Sequence, residues 1–439
     1  MKATAFVGVT FCLAALACGE GVTENRADAP AGRDAGGGRD EETRDEGTTD
    51  AGAQDASEPS DRSDTSDRSD LSDVGGFDAS DASDLSDRSD PSDVATPQDA
   101  GTDAGPPLHY PGKTWDEKDP GEAGLDSARL DSYKGSVLGR GCVTRGGYMV
   151  YTWGDQAARG DVASACKPFF SHFLFTAVEE GLLENIDVPA RQFEPRLDAI
   201  NKDLGYKDRG ILFRHFATQT SCYGVTESPG TAFDYNDFQM ALFFDTLFLK
   251  VYGKTYDNLD ADVFRARLCD VIECEDSPTF FAFGKNDRPG RTAISVRDFA
   301  RFGLLYMRGG RWNDRELIPA DVVLAATTSP LPNAIPRTNG VEAEMIAGQR
   351  SLGSNTIPDN QTDHYGSYSY LWWTNGVDRD GNRQWPDAPL DTYGAFGHGG
   401  KRAMVVIPSL DIVTSWNDSG IDTPEKANEA LKRLVASVQ

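Results

Sequence analysis

Apolar and polar positions divide the chain into three stretches. From Ala3 to Ala17 nearly every residue is apolar or small, a run as long as a secretory core and shorter than the roughly 20 residues that span a bilayer. From Gly19 to Pro106 large apolar side chains are scarce while Asp, Ser, Ala, Gly and Thr dominate. So little burial does not offset chain entropy, and this segment is expected to be disordered. Beyond Pro106-Pro107 aromatic residues return and periodic patterns begin.

Those patterns predict specific elements. Alternation from Cys142 to Trp153 reads as a hairpin turned at Gly146-Gly147. Phe170, Phe173, Leu174, Ala177, Val178 and Leu182 mark a helix buried on most sides, with Gly181 near its end. Turn residues from Pro229 to Asp237 lead into a helix at Phe238–Phe244. Two apolar strands, Ala403–Ile407 and Ile412–Trp416, flank a Pro408-Ser409 turn. In the last helix Thr423 caps, Pro424 enters at the first turn, and Ala427, Leu431, Leu434, Val435 and Val438 form one face.

Charge sharpens this division. The 439 residues carry 70 acidic and 43 basic side chains, a net charge of −27. Residues 1–106 hold 25 acidic and 8 basic groups, so −17 is local to that stretch and −10 belongs to residues 107–439. The latter segment is long enough for one large domain or two subdomains. Without clustered Lys and Arg, nucleic acid and anionic lipid are poor partners.

Lys2 and the apolar run behind it read as an export signal over residues 1–17. The run ends in Ala15-Leu16-Ala17-Cys18, which resembles a bacterial lipobox, although Ala15-x-Ala17 equally serves as an ordinary cleavage site. Taken as a lipobox, it predicts lipidation at Cys18, and Gly19 fits outer-membrane sorting. The protein would then be an exported cell-envelope lipoprotein touching the membrane only through that N-terminal anchor. Residues 18–106 would be an Asp/Ser-rich linker ahead of a domain at 107–439. Its Ser-Asp-x repeat, between Ser60 and Asp93, invites a Ca²⁺-binding reading. The glycines and spacing of a calcium loop are missing, so a self-repelling spacer is the better account, about 50 Å or more from end to end.

Three clusters carry candidate chemistry. Ser164-Ala165-Cys166-Lys167 opens the buried helix and sets Lys167 one turn from Ser164. A desolvated Lys there is expected to lose its proton and act as base toward the hydroxyl. Alone this spacing is weak, since it arises by chance in chains of this size. Tyr235 in the Pro229–Asp237 loop is positioned to meet the first site. Gly397-His398-Gly399-Gly400-Lys401 precedes a strand, and its glycines let a ligand approach backbone N–H groups that bind developing negative charge.

Ser164-x-x-Lys167, Tyr235-Asn236-Asp237 and His398-Gly399-Gly400, in that order, resemble the serine β-lactamase and penicillin-binding-protein superfamily. The class C-like serine hydrolase and esterase branch is the nearest part of it. The flanks Tyr151–Asp155, Ser295-x-x-Asp298 and Tyr370–Trp373 agree, and the likeness covers residues 108–439. It implies an α/β (α+β) β-lactamase/transpeptidase-like fold, with an antiparallel sheet flanked by helices, a mostly helical subdomain, and the site at their junction.

By the same resemblance Ser164 is the nucleophile, Lys167 and Tyr235 move its proton, and the N–H groups of Ser164 and Lys401 form an oxyanion hole. Asp237, His398, Gly399 and Gly400 would contact the substrate, with no metal and no cofactor. Two departures matter. Asp237 stands where the pattern has Asn, and His398 replaces the Lys that binds a substrate carboxylate. Hydrolysis of a small ester or amide therefore stands ahead of a D-amino-acid peptidase or β-lactamase, and ahead of a non-catalytic surface binding or sensor protein. Oligomeric state is not legible in the sequence.

The chain has no Gly-x-Ser-x-Gly elbow and no His-Glu-x-x-His. His109, His172, His215 and His364 are scattered, and read as structural or surface residues. Of Trp372 and Trp373, adjacent on a strand, at most one is expected to face the cleft. Cys269 and Cys274 are the first candidates for a disulfide in an exported protein, and Cys166 reads as a small buried residue.

Overall fold

The hairpin expected at 142–153 forms one end of a six-stranded sheet. The computed structural model describes residues 108–439. The export signal (1–17), the Cys18 lipidation site and the linker (18–106) lie outside the described residues. The strands are β1 (Arg140–Arg145), β2 (Tyr148–Trp153), β3 (Gly160–Asp161), β4 (Ala293–Ile294), β5 (Arg311–Trp312), β6 (Arg315–Glu316), β7 (Trp373–Thr374), β8 (Tyr393–Gly397), β9 (Arg402–Ile407) and β10 (Ile412–Asn417). β1 and β2 turn at Gly146 and Gly147, whose φ values of 63° and 83° suit glycine alone without strain. The main sheet runs β2-β1-β10-β9-β8-β7, while β3–β4 and β5–β6 form separate two-stranded ribbons. The pairs within the main sheet are antiparallel.

All six residues of β10 are buried, because helices cover both faces of the sheet. On one side lie α1 (Ser127–Val137) and α7 (Pro424–Ala436). Their Leu130, Tyr133, Leu431 and Leu434 pack on Val143, Val405 and Trp416. As expected, Thr423 caps α7 by accepting the Lys426 N–H, and Pro424 starts it. On the other side lies α5 (Val296–Met307), capped by Ser295, with Phe299 and Phe302 against Met404, Val406 and Val413.

Beyond α5 stands α2 (Lys167–Glu179), whose residues from Lys167 to Ala177 are all buried. Phe169 meets Phe302 with ring centroids 4.3 Å apart, and Phe173 reaches Phe248, Phe264 and Phe280 on the far side. A helix apolar on most faces is thus clamped between the sheet layer and a second, helix-rich layer. That layer holds α3 (Phe213–Ala217), α4 (Asp237–Phe244), its π-helical continuation Asp245–Val251, and a second π-helical segment Asp260–Cys269. α6 (Ala320–Thr328) follows.

The disulfide expected between Cys269 and Cys274 is not formed, and the five described cysteines are free thiols. The loop is closed by its backbone instead, the Cys274 N–H donating to the Cys269 carbonyl at 2.8 Å. Burial raises both thiol pKa values.

Candidate active site

Ser164 lies in a 3₁₀ turn, Ala163–Cys166, that runs directly into α2. In this first turn the Ser164 N–H has no partner within the helix. The residue before it, Ala163, is left-handed at φ 52°. Its N–H is held by Asp161 Oδ1 at 3.0 Å, and Asp161 is in turn gripped by Arg291 at 3.0 and 2.5 Å. A strained residue beside a functional group persists only where neighbours fix it, and Arg291 and Asp161 do so here.

Lys167 Nζ donates to Ser164 Oγ at 2.9 Å and to Asp237 Oδ1 at 3.2 Å. The Lys side chain is 2% exposed and that of Asp237 10%. Asp237 is the first residue of α4, whose cap is Asn236, accepting the N–H groups of Phe238 and Gln239. The Asn236 amide is therefore committed to the helix end. Asp237, expected at the substrate, instead sits behind Lys167, and its N–H donates to Asp359 at 2.7 Å. The Tyr235 ring centroid lies 4.4 Å from the Lys167 ammonium, and its hydroxyl faces Ser164 and Lys167.

This pairing runs against the expectation of a neutral Lys167. Burial alone pushes its pKa down, but the negative charge available to Tyr235 and Asp237 outweighs that and the net shift is upward. Burial likewise pushes Asp237 up, and attraction and hydrogen bonding from Lys167 reverse it to a net lowering. For Tyr235 burial prevails over Lys167, so the phenol pKa is raised. Lys167 and Asp237 thus face each other as a buried ion pair with the Tyr235 ring beside it.

The facing wall follows β8. β7 pairs only with Tyr393 and Gly394, leaving Ala395–Gly397 uncovered beyond it. Gly397 approaches the turn of Ser164 so closely that a Cβ would stand 2.3 Å from the Val162 carbonyl oxygen. His398 is left-handed at φ 48°, exposed, and its Nδ1 meets the Arg402 guanidinium. Burial first, and Arg402 second, lower its pKa, so the ring is neutral at pH 7. Gly399 stands beside it while Gly400 is buried. Lys401, expected to give the second oxyanion donor, is exposed and turns its N–H back to the His398 carbonyl at 3.4 Å. His398 and Gly399 are the members of that turn that line the cavity.

A cavity of about 400 Å³ joins the two walls, bounded by Ser164, Tyr235, Trp373, Trp385, Phe396 and His398, with Gln361, Tyr365 and Gln384 around them. Trp373 lines it, whereas Trp372 is fully buried against Phe302 and Tyr306. Sequence reasoning missed Gln361, Tyr365, Gln384 and Trp385, which belong to the irregular chain between α6 and β8, where no period can be read. The other histidines lie elsewhere: His109 stacks on Tyr148, His172 is buried in α2, His215 abuts Gly230, and His364 bonds the Ile335 carbonyl.

No family model and no curated protein matches the chain. Solved structures do. A candidate β-lactamase from Bacteroides dorei DSM 17855 superposes with a TM-score of 0.51 at 16% identity, covering 72% of this chain and 99% of that one. A β-lactamase from Mycobacterium bovis gives a TM-score of 0.48 at 17% identity, covering 71% and 100%. A candidate 6-aminohexanoate-dimer hydrolase from Bacillus anthracis gives 0.49 at 12%, covering 75% and 88%. The described residues therefore have the β-lactamase/transpeptidase-like fold, an antiparallel sheet flanked by helices.

Proposed function

We propose that the chain is an exported serine hydrolase, held at the cell envelope by a lipid on Cys18, that cleaves a small ester or amide through an acyl-enzyme on Ser164. The observation that carries this is the buried Lys167 ammonium, 2.9 Å from Ser164 Oγ and paired with Asp237. Burying such a pair costs several kcal/mol per ion before its attraction is counted, and a binding protein gains nothing from placing it against a serine hydroxyl.

As the Ser164 oxygen attacks the carbonyl carbon, its proton passes to Lys167 while Lys167 gives one to Asp237, so Lys167 stays an ammonium, Asp237 becomes neutral and the negative charge moves to the carbonyl oxygen. Charge developing on the carbonyl oxygen is stabilised by the Ser164 N–H, with backbone of the His398–Lys401 turn as the opposing donor. The Tyr235 hydroxyl protonates the departing oxygen or nitrogen, and the resulting phenolate takes its proton back from the Lys167–Asp237 pair. Water then attacks the acyl-enzyme, Tyr235 taking its proton while passing its own to the Lys167–Asp237 pair, which returns a proton to the Ser164 oxygen as the acyl group leaves. Neutral His398 offers no fixed charge to a carboxylate, which places ester or amide cleavage ahead of a D-amino-acid peptidase or β-lactamase.

Intact mass of the full-length protein after exposure to a fluorophosphonate is the test. One adduct on the parent and none on a folded Ser164→Ala variant is expected. A folded parent that takes no adduct would sink the hydrolase and favour a binding protein using the same cleft.

A further inference from the structure

Resting on the serine hydrolase reading, we infer that the substrate is an uncharged ester or amide bearing a flat, apolar, aromatic-sized acyl group. The cavity beside Ser164 is lined by indole, phenyl and phenol rings, amides and hydroxyls, with no Asp, Glu, Lys or Arg on its wall. Two ring pairs flank it, each with planes inclined by about a third of a right angle. Trp385 and Phe396 have centroids 5.1 Å apart at 31°, and Tyr235 and Trp373 have centroids 6.2 Å apart at 29°. Surfaces of this kind favour another planar group, which gains ring contacts beyond simple burial. The volume of about 400 Å³ suits a small organic molecule.

Of the cations around this cavity, the buried Lys167 is paired with Asp237 and Arg291 is held by both oxygens of Asp161, while Arg402, turned to His398, and the exposed Lys401 lie outside the lining. A carboxylate entering beside the Trp385 and Phe396 rings would lose its water with no cation on the lining to meet it, which is costly. The net −10 of residues 107–439 adds a repulsive field. Polar selectivity is left to Gln384 and Thr362 on the wall, groups that recognise neutral donors and acceptors.

The test uses the full-length protein and p-nitrophenyl esters that share one leaving group and differ only in the acyl part: acetyl, butyryl, 3-phenylpropionyl and hemisuccinyl. For kcat/KM the 3-phenylpropionyl ester is expected to exceed the acetyl ester by about tenfold or more, and the hemisuccinyl ester to fall about tenfold or more below the butyryl ester. Trp385→Ala is expected to collapse the phenylpropionyl-to-acetyl ratio toward one. Because Trp385 is 2% exposed, fluorophosphonate labelling of that variant reports whether its site is still assembled; if it is not, the ester series on the parent decides alone. A hemisuccinyl rate equal to or above the butyryl rate, or a ratio near one in the parent, overturns this substrate class and leaves the hydrolase standing. Absence of both turnover and labelling overturns the hydrolase and this inference with it.

Discussion

The wall that carries Ser164 and Lys167 and the wall that carries Trp385, Gln384 and His398 are held in place by different means. The first is the start of a helix buried over Lys167–Ala177, fixed by ion pairs to Asp237 and from Arg291 to Asp161. The second is largely irregular chain, uncharged on its inner surface and partly open to solvent, with Tyr365 42% exposed. The proposed reactive groups thus stand where ion pairs and packing fix their neighbours. Choice of substrate resides where side chains change at small structural cost, a division common to sites built from loops on a rigid scaffold.

Removing the lysine strikes the first wall hardest. Lys167→Ala leaves the Asp237 carboxylate buried without its partner, and is expected to cost about 3–5 kcal/mol in a urea melt together with about 10²–10⁴-fold in ester turnover. An active, equally stable variant would dissolve the contrast between the walls. Asp237→Asn is the gentler probe. In the parent the Asp237 pKa is lowered and that of Lys167 raised, so the pair persists across the neutral range. Its contribution to stability is present above the unfolded carboxylate value and lost as pH falls through the lower folded one. Without the carboxylate, burial drives the Lys167 pKa down and the free amine becomes the base. The kcat/KM profile, flat from about pH 5 to 9 in the parent, is expected to rise with pH in the variant, about tenfold for each unit Lys167 lies above the assay pH. A flat variant profile would eliminate the Ser164–Lys167–Asp237 relay. On the second wall, Tyr365→Ala is expected to raise KM a few-fold while stability stays within about 0.5 kcal/mol, and a large loss of stability would show that this wall is as rigid as the first.

The same contrast governs what could be read from the sequence. Ser164, Lys167 and Tyr235 stand on or beside helices, where spacing in sequence is spacing in space, and the structure brings the three together. The hairpin, the two C-terminal strands and the capped last helix follow from period and punctuation alone. Asp237 was misplaced because the resemblance was followed position by position. The N-cap rule applied to Asn236 ahead of an apolar helix commits that amide to the helix end and turns attention to where the next side chain points. The charge state of Lys167 was hidden because it depends on a partner 70 residues away. Trp385 and Gln384 gave no signal at all, since irregular chain has no period to follow.

With Ser164 on the turn that opens a helix buried over Lys167–Ala177, the proposed nucleophile is tied to a part of the molecule expected to open slowly. Amides along α2 are expected to exchange with solvent only when the layers open, whereas the chain around Gln361 and Tyr365 is expected to open locally at lower cost. If the proposed hydrolase is right, warming would blur its selection between esters before it abolished cleavage.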